Sequence, residues 1–462
     1  SSIGMRGLLL FGTDAQKARY YPELASGKRI AAFCLTEPGS GSDAASIRTH
    51  AEQDGDHWVL NGEKLWITNG GIGSFFTVFA RTEGQGRMTA FLVTPEMGGV
   101  SHGPHEDKMG LRASSTTTVS FDNTRVPNDH VLGDVGAGFK VAMNILNNGR
   151  TGLGGGAVGA MKKVIALAAL HARDRKQFGK PIADYGLIKQ KLGQATIDCY
   201  AAEATVNLVA HMIDAKEQDF AVEASISKVF ASEALWRTAD EALQVAGGLG
   251  FMRELPYERV LRDCRINRIF EGTNEVLRLF IALTAMSDVG GQLQELSASL
   301  KGAFNDPIKG FGVLSEYALR QARIHTNFAQ QDRLRLTKVA PQLADLAPLF
   351  EAKTKTLAQA VDRILRKHGR NIIGKQLASR RLADIMIDLF VLSAVLSRVT
   401  TRLAEGPAPE VEKEVMIARA FAKQAELRMQ QNFDRIDDND DELIKQLADF
   451  AVEKEGYVWD VI

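Results

Sequence analysis

Phe270-Glu271-Gly272-Thr273-Asn274-Glu275 interrupts two helical patterns, Tyr257–Arg268 before it and Val276–Leu283 after it. A carboxylate is followed at once by glycine and then by two small hydrogen-bonding side chains. Gly272 frees the backbone to bend. Thr273 or Asn274 is placed to cap the second helix, whose first N–H groups attract anions. Two readings are open here. One is a helix break with a solvated Glu271. The other is a corner that aims a carboxylate and its own amide into a cleft.

Upstream of the corner the period is helical back to Gly138. Phe139, Ala142, Met143 and Leu146 share one face, and a long helix follows through Met161, Val164, Ile165 and Ala168 to Arg173. Another spans about Leu187–Ala215, and a third Val222–Val245, stopped by Gly247-Gly248. With Tyr257–Arg268 as the fourth, residues 134–286 read as a bundle of four long antiparallel helices, and the corner closes it.

Residues 30–133 are different: short β-rich runs separated by turn signals. Ile30–Leu35 is apolar. Ile47–Ala51 and Trp58–Leu60 flank Asp54-Gly55, a hairpin signal. Lys64–Thr68 follows an expected Asn61-Gly62 turn. Phe75–Arg81, Thr89–Val93 and Thr116–Phe121 complete about seven strands of a β-barrel or sandwich. Residues 1–29 read as short helices, with Thr13-Asp14 capping Ala15–Leu24 and Gly27 stopping it. They resemble the end of an N-terminal helical domain whose earlier part is absent. Residues 287–312 read as a glycine-containing linker and 313–462 as a further helical domain. The expected fold is mainly α with an inserted β-barrel or sandwich domain.

The 462 residues are 45% hydrophobic and 24% charged, which is globular composition sufficient for two to four domains. Lys+Arg and Asp+Glu are both 56, so a global nucleic-acid partner is not expected. Cys34, Cys199 and Cys264 are odd in number and far apart, which fits a reducing intracellular compartment without a disulfide framework. His102-Gly-Pro-His105 lacks further ligands, so no metal is expected. No apolar run reaches the ~18–20 residues of a spanning helix. The basic stretch 353–381 reads as a solvated helix face. Asp437-Asp-Asn-Asp-Asp-Glu442 lacks the glycine and distal glutamate of a calcium loop and reads as a helix N-terminus.

Four further stretches bear on chemistry. Phe33-Cys-Leu-Thr-Glu-Pro-Gly-Ser-Gly-Ser-Asp43 runs a strand into a loop whose N–H groups can approach a flat ring or a phosphate, or which is a plain turn. It is not GxGxxG before a helix, so a Rossmann site is disfavoured. In Leu65-Trp-Ile-Thr-Asn-Gly-Gly71, Trp66 packs in the β core by default or lies against an aromatic cofactor. Arg173-Asp-Arg-Lys-Gln-Phe-Gly179 complements a helix C-terminus or grips a pyrophosphate. Asn147-Asn-Gly-Arg150 holds an adenosine or pantetheine chain or caps a helix.

Together these residues resemble the acyl-CoA dehydrogenase family. Its motifs appear in order at Phe33–Asp43, Trp66–Gly70, Arg175–Gly179, Gln244–Phe251 and Glu271–Thr273. The resemblance covers about residues 1–285. Leu35-Thr36-Glu37, Asn147–Arg150, Glu271–Asn274 and Arg380-Arg-Leu-Ala-Asp384 extend it to the very-long-chain-like subgroup, which carries a C-terminal helical extension.

The resemblance implies FAD as cofactor and α,β-dehydrogenation of a long-chain acyl-CoA to the trans-2-enoyl-CoA. Glu271 would take the α proton, and its own N–H would help to polarise the thioester carbonyl. Burial should raise its pKa. Phe33, Leu35, Thr36, Gly41, Ser42, Trp66, Ile67 and Thr68 would line the flavin, and Ser42 would also touch substrate. Arg175, Gln177 and Phe178, with Gln244, Gly247 and Gly248, would reach the FAD of a neighbouring subunit, implying a homodimer or tetramer. Thr273 and Asn274 would meet the adenosine half. Asn147, Arg150 and Gly272 would contact substrate; many family members have Asp where this chain has Asn147. The resemblance further implies electron-transfer flavoprotein as partner, and bacterial cytoplasm or mitochondrial matrix as compartment. Residues 305–336, where the subgroup has a membrane-binding region, are amphipathic and basic, so peripheral contact with the inner membrane is an expectation. The alternatives are an acyl-CoA oxidase, or an assembly factor that keeps the fold without needing catalysis.

Overall fold

The computed structural model describes residues 2–82, 87–217, 219–287 and 336–459. The chain divides into two compact units, Ser1–Cys199 with Val209–Asn274, and Tyr200–Leu208 with Glu275–Ile462.

The first unit begins with two helices, α1 (Ser2–Phe11) and α2 (Asp14–Ala25). Thr13 caps α2 in a reciprocal box with Gln16. Eight strands follow in one sheet: β1 (Ala31–Cys34), β2 (His50–Asp54), β3 (His57–Thr68), β4 (Phe75–Thr82), β5 (Arg87–Val93), β6 (Val100–His102), β7 (Thr116–Pro127) and β8 (Val131–Leu132). Their order is β6-β7-β3-β2-β4-β5-β8, with β1 parallel to β4. β4 is almost continuously apolar because both its faces are covered. Phe75 and Phe79 enter a core shared with α1, α2 and the first long helix, while Phe76, Val78 and Ala80 enter the core between the strands.

Two expectations change here. Asn61-Gly62 is not a turn. It lies inside β3 at a shift in the pairing with β7, where Asn61 Oδ1 accepts from the Asn123 N–H at 2.8 Å. A second shift falls between Lys64 and Ile67, where β3 has one residue more than β7. Such a bulge re-aims a side chain, and the one it turns out is Trp66.

The helices that follow are α3 (Gly138–Asp174), α4 (Gly186–Asp214), α5 (Ala221–Ala246), α6 (Gly248–Phe251) and α7 (Tyr257–Cys264); all lie in this unit except Tyr200–Leu208 of α4. A two-stranded hairpin, Lys176–Gln177 with Lys180–Pro181, joins α3 to α4. Asn147-Asn-Gly-Arg150 does not cap a helix; it lies within the 37-residue α3. By length and composition α3 is apolar enough to cross a membrane. Its charges Arg150 and Lys162-Lys163 keep every uninterrupted apolar run in its sequence short. It packs along α5 as a core helix, burying Ala157, Met161, Val164 and Ala168. The fourth bundle element is short: α7 has eight residues and passes into a 3-10 turn, Arg265–Arg268.

The second unit holds helices at Ala347–His368, Gln376–Ala404, Pro409–Asp434 and Asp441–Glu453. Its acidic run ends at a helix start, with Asp441 paired to Arg381 and Asp437 to Arg363. The linker expected at 287–312 and the membrane-facing stretch 305–336 lie almost wholly outside the described residues.

Candidate active site

The corner is built against two helices. Glu271 has φ +56° and Gly272 φ +94°. A left-handed backbone costs a residue with a Cβ about 1–2 kcal/mol and persists only where the surroundings enforce it. From α3, Arg150 donates through Nε to the Glu271 carbonyl at 3.2 Å. From α5, Lys228 donates to the Gly272 carbonyl at 2.7 Å and to Asn274 Oδ1 at 2.8 Å. The Asn274 amide donates to Ser232 Oγ and Glu233 Oε1, both at 3.1 Å. Residues 274–287 are helical beyond it.

The Glu271 carboxylate lies over Gly149 of α3. A Cβ at residue 149 would sit 2.9 Å from Oε2, so the carboxylate reaches this place only across glycine. Oε2 is buried with no hydrogen-bond partner among the described residues. Burial pushes the Glu271 pKa up to about 7, against the pull of Arg150 and Lys228. Burial likewise lowers Arg150, to about 10, while Glu271 opposes that change. A carboxyl group that exchanges its proton near neutral pH is suited to act as a general base. The solvated-break reading of Glu271 is therefore excluded by its surroundings.

Arg150 is 6% exposed. Its Nη1 donates to Asn147 Oδ1 at 2.8 Å and to Ser225 Oγ at 3.4 Å. The structure thus places Arg150 and Asn147 beneath the corner as its support. Asn274 is fully buried, so its side chain braces the corner from within.

The Phe33–Asp43 loop is tied to β3 by a buried ion pair. Lys64 Nζ lies 2.7 Å from Glu37 Oε1 and 3.2 Å from the Leu35 carbonyl. Glu37 also accepts from the Arg48 and Thr49 N–H groups at 2.5 and 3.0 Å. Lys64 lowers the Glu37 pKa against its burial. The Leu65 N–H reaches the Thr36 carbonyl at 2.8 Å. Trp66 leaves the core altogether: it is 62% exposed, with φ +55°. Leu35 and Ile67 are core residues, so they present only backbone outward. Thr36 and Phe33 are half-buried; Gly41, Ser42 and Thr68 are exposed.

Residues 32–124 match the family model for the acyl-CoA dehydrogenase middle domain, and residues 136–286 match its C-terminal domain. Residues 341–457 match the ACAD9/ACADV C-terminal domain. The bovine very long-chain specific acyl-CoA dehydrogenase, mitochondrial, is 45% identical over 473 residues, covering 99% of this chain and 71% of that protein. The chain belongs to the acyl-CoA dehydrogenase family. The human very long-chain specific acyl-CoA dehydrogenase, mitochondrial, is also 45% identical, over 93% of this chain and 66% of its own length. The chain therefore spans about two thirds of these relatives. A solved structure, an acyl-CoA dehydrogenase complexed with FAD from Bacillus anthracis, superposes with a TM-score of 0.80 at 33% identity, covering 94% of this chain and 73% of that one.

The remaining motifs of this acyl-CoA dehydrogenase family member form a separate group. Arg175, Gln177 and Phe178 are exposed on the hairpin after α3, and Phe178 is 95% exposed. Gln244, Gly247 and Gly248 are exposed at the end of α5. One core, containing Ala172, Val245 and Ala246, brings these two ends together. From Gly149 to Arg173 α3 rises about 36 Å, so this group stands far from Glu271 of the same chain. A cleft of about 910 Å³ is elsewhere, lined by Tyr20, Trp58 and His130.

Sequence reasoning missed Lys228, Gly149 and the Glu37–Lys64 pair. For Lys228 a signal existed: it is a lone cation in Ala224-Ser-Ile-Ser-Lys-Val-Phe-Ala-Ser232, where every neighbour is small or apolar. Such a lysine is buried only when its protons find acceptors.

Proposed function

We propose that this chain is the FAD-dependent dehydrogenase of a long-chain or very-long-chain acyl-CoA, forming the trans-2-enoyl-CoA in fatty acid β-oxidation. The observation that carries this reading is the half-buried Glu271 in a left-handed backbone, its Oε2 enclosed over Gly149 and its pKa pushed up to about 7. As a carboxylate it takes the α proton. Its own N–H meets the thioester carbonyl as negative charge develops there. Gly149 leaves the room in which the carboxylate moves.

The residues present fit FAD. The bulge in β3 holds Trp66 outside the core with a face open to a ring. Thr36, Ser42 and Thr68 offer hydroxyl groups on the two loops, Thr36 tied to Leu65 through its carbonyl, and the Glu37–Lys64 pair links the loops. When bound, FAD supplies the acceptor for the β hydrogen, and electron-transfer flavoprotein takes the electrons onward. Arg175, Gln177, Phe178 and Gln244–Gly248 stand too far from Glu271 to serve its flavin. We assign them to the FAD of a second copy, which makes a homo-oligomer the active form. Mitochondrial matrix or bacterial cytoplasm is the compartment that suits this role, with peripheral membrane contact through 305–336.

The test is anaerobic addition of palmitoyl-CoA to the flavin-loaded protein. The parent bleaches rapidly, and Glu271→Gln binds the acyl-CoA without bleaching. Bleaching that survives the substitution refutes the assigned base. Hydrogen peroxide formed at the rate of turnover under air would assign an oxidase instead.

A further inference from the structure

The two carbonyls that flank the Gly272 peptide are each held by a buried cation from a different helix. Arg150 of α3 takes the Glu271 carbonyl, and Lys228 of α5 takes the Gly272 carbonyl. Lys228 is fully buried, and an ammonium is retained in such a place only when it meets strong acceptors. Its second acceptor, Asn274 Oδ1, is itself immobilised, because the Asn274 amide donates to Ser232 and Glu233 of the same helix α5. A peptide plane is rigid, so holding one carbonyl fixes the direction of the N–H on the far side of the same bond. Arg150 thereby sets the plane between Glu271 and Gly272, and Lys228 sets the next. These two planes flank the Gly272 Cα, so between them they hold Gly272 at φ +94°, next to the Glu271 carboxylate that lies across Gly149.

We infer that Lys228 is a positioning residue for proton abstraction: by holding the Gly272 carbonyl and the Asn274 side chain, it maintains the corner from which the Glu271 carboxylate reaches substrate. The inference rests on the reading of Glu271 as base. Lys228 also acts through its charge. The cations that stabilise the ionised carboxylate are Arg150 from α3 and Lys228 from α5. Glu233 of α5 meets Asn274, not Glu271, and Arg265 and Arg268 precede the corner in the 3-10 turn. Without the ammonium, the Glu271 proton is held more tightly, so the pH at which the base becomes available moves upward.

The experiment uses flavin-loaded Lys228→Met, which keeps the length of the side chain and removes its protons and charge. Flavin reduction by palmitoyl-CoA is followed anaerobically by stopped flow across pH, with Glu271→Gln in parallel. The expected result is a limiting rate ten- to a hundred-fold lower, an acyl-CoA dissociation constant within about three-fold of the parent, and a pH midpoint displaced upward. Asn274→Ala is the second variant. It keeps the ammonium and removes one acceptor, so the rate falls while the pH midpoint stays in place. Either flavin-loaded variant reducing its flavin at the parent's rate overturns the inference, as does an unmoved pH midpoint in Lys228→Met. Loss of flavin-loaded protein in both overturns it too, since a purely structural role then accounts for Lys228. Bleaching that persists in Glu271→Gln instead strikes the assignment of the base.

Discussion

Glu271→Gln removes a charge and keeps a shape, and its effect on stability follows from the burial of the carboxyl. The folded chain raises this group from an ordinary 4.5 to about 7. Between those values the folded chain keeps a proton that the unfolded chain has released. Stability therefore falls as pH rises from about 4.5, and the loss is complete above about 7. The whole displacement corresponds to about 3.4 kcal/mol at ~1.36 kcal/mol per pKa unit. About 1.4 kcal/mol of it is already incurred at pH 5.5 and nearly all at pH 8. Gln does not titrate, so whatever its amide costs in that site is the same at both pH values. The stability of Glu271→Gln relative to the parent should then rise by about 2 kcal/mol between pH 5.5 and pH 8. Denaturant unfolding of both proteins at the two pH values measures this. A stability difference that does not change with pH would refute the argument that burial holds the Glu271 proton.

Three further outcomes follow from the same geometry. Gly149→Ala brings a methyl group to 2.9 Å from Glu271 Oε2 and should lower the rate of flavin reduction at least ten-fold while flavin content stays at the parent's level; an undiminished rate would mean that the carboxylate does not work across α3. Trp66→Gly removes an exposed side chain and a left-handed strain, so stability should stay within about 0.5 kcal/mol of the parent while FAD binds at least ten-fold more weakly, read by flavin titration of the apoprotein. Lys64→Met leaves Glu37 buried without its cation and should cost about 3–5 kcal/mol, whereas the double variant Glu37→Gln/Lys64→Met should recover much of that loss; a double variant no more stable than Lys64→Met would show that the ion pair is not what the site depends on.

Most of the architecture was legible because it depends on local signals. The capping box at Thr13, the hairpin after Asp54 and the glycine stop after α5 are each written in a few adjacent residues. Where several local conformations were compatible with the same residues, the reading went astray. Asn61-Gly62 is a turn signal, but pairing with β7 over a long strand outweighs it. Asn147–Arg150 looks like a helix end, but tertiary packing on α5 carries α3 straight through it. The apolar surface of Trp66 makes the core its default place, with a cofactor face as the alternative, and one extra residue in β3 turns it outward.

The sequence alone determined the order of the motifs, the family resemblance and the residue to propose as base, because residue types at characteristic spacings carry that information. Only the tertiary structure decided what surrounds that carboxylate. The left-handed backbone at Glu271, the carboxylate lying across Gly149, and the capture of consecutive carbonyls by Arg150 and Lys228 bring together residues up to 122 positions apart in the chain. The proton affinity of a carboxylate depends on how far its neighbours exclude water and where their charges stand. For Glu271 those neighbours come from α3 and α5, and no stretch of the chain around residue 271 contains them.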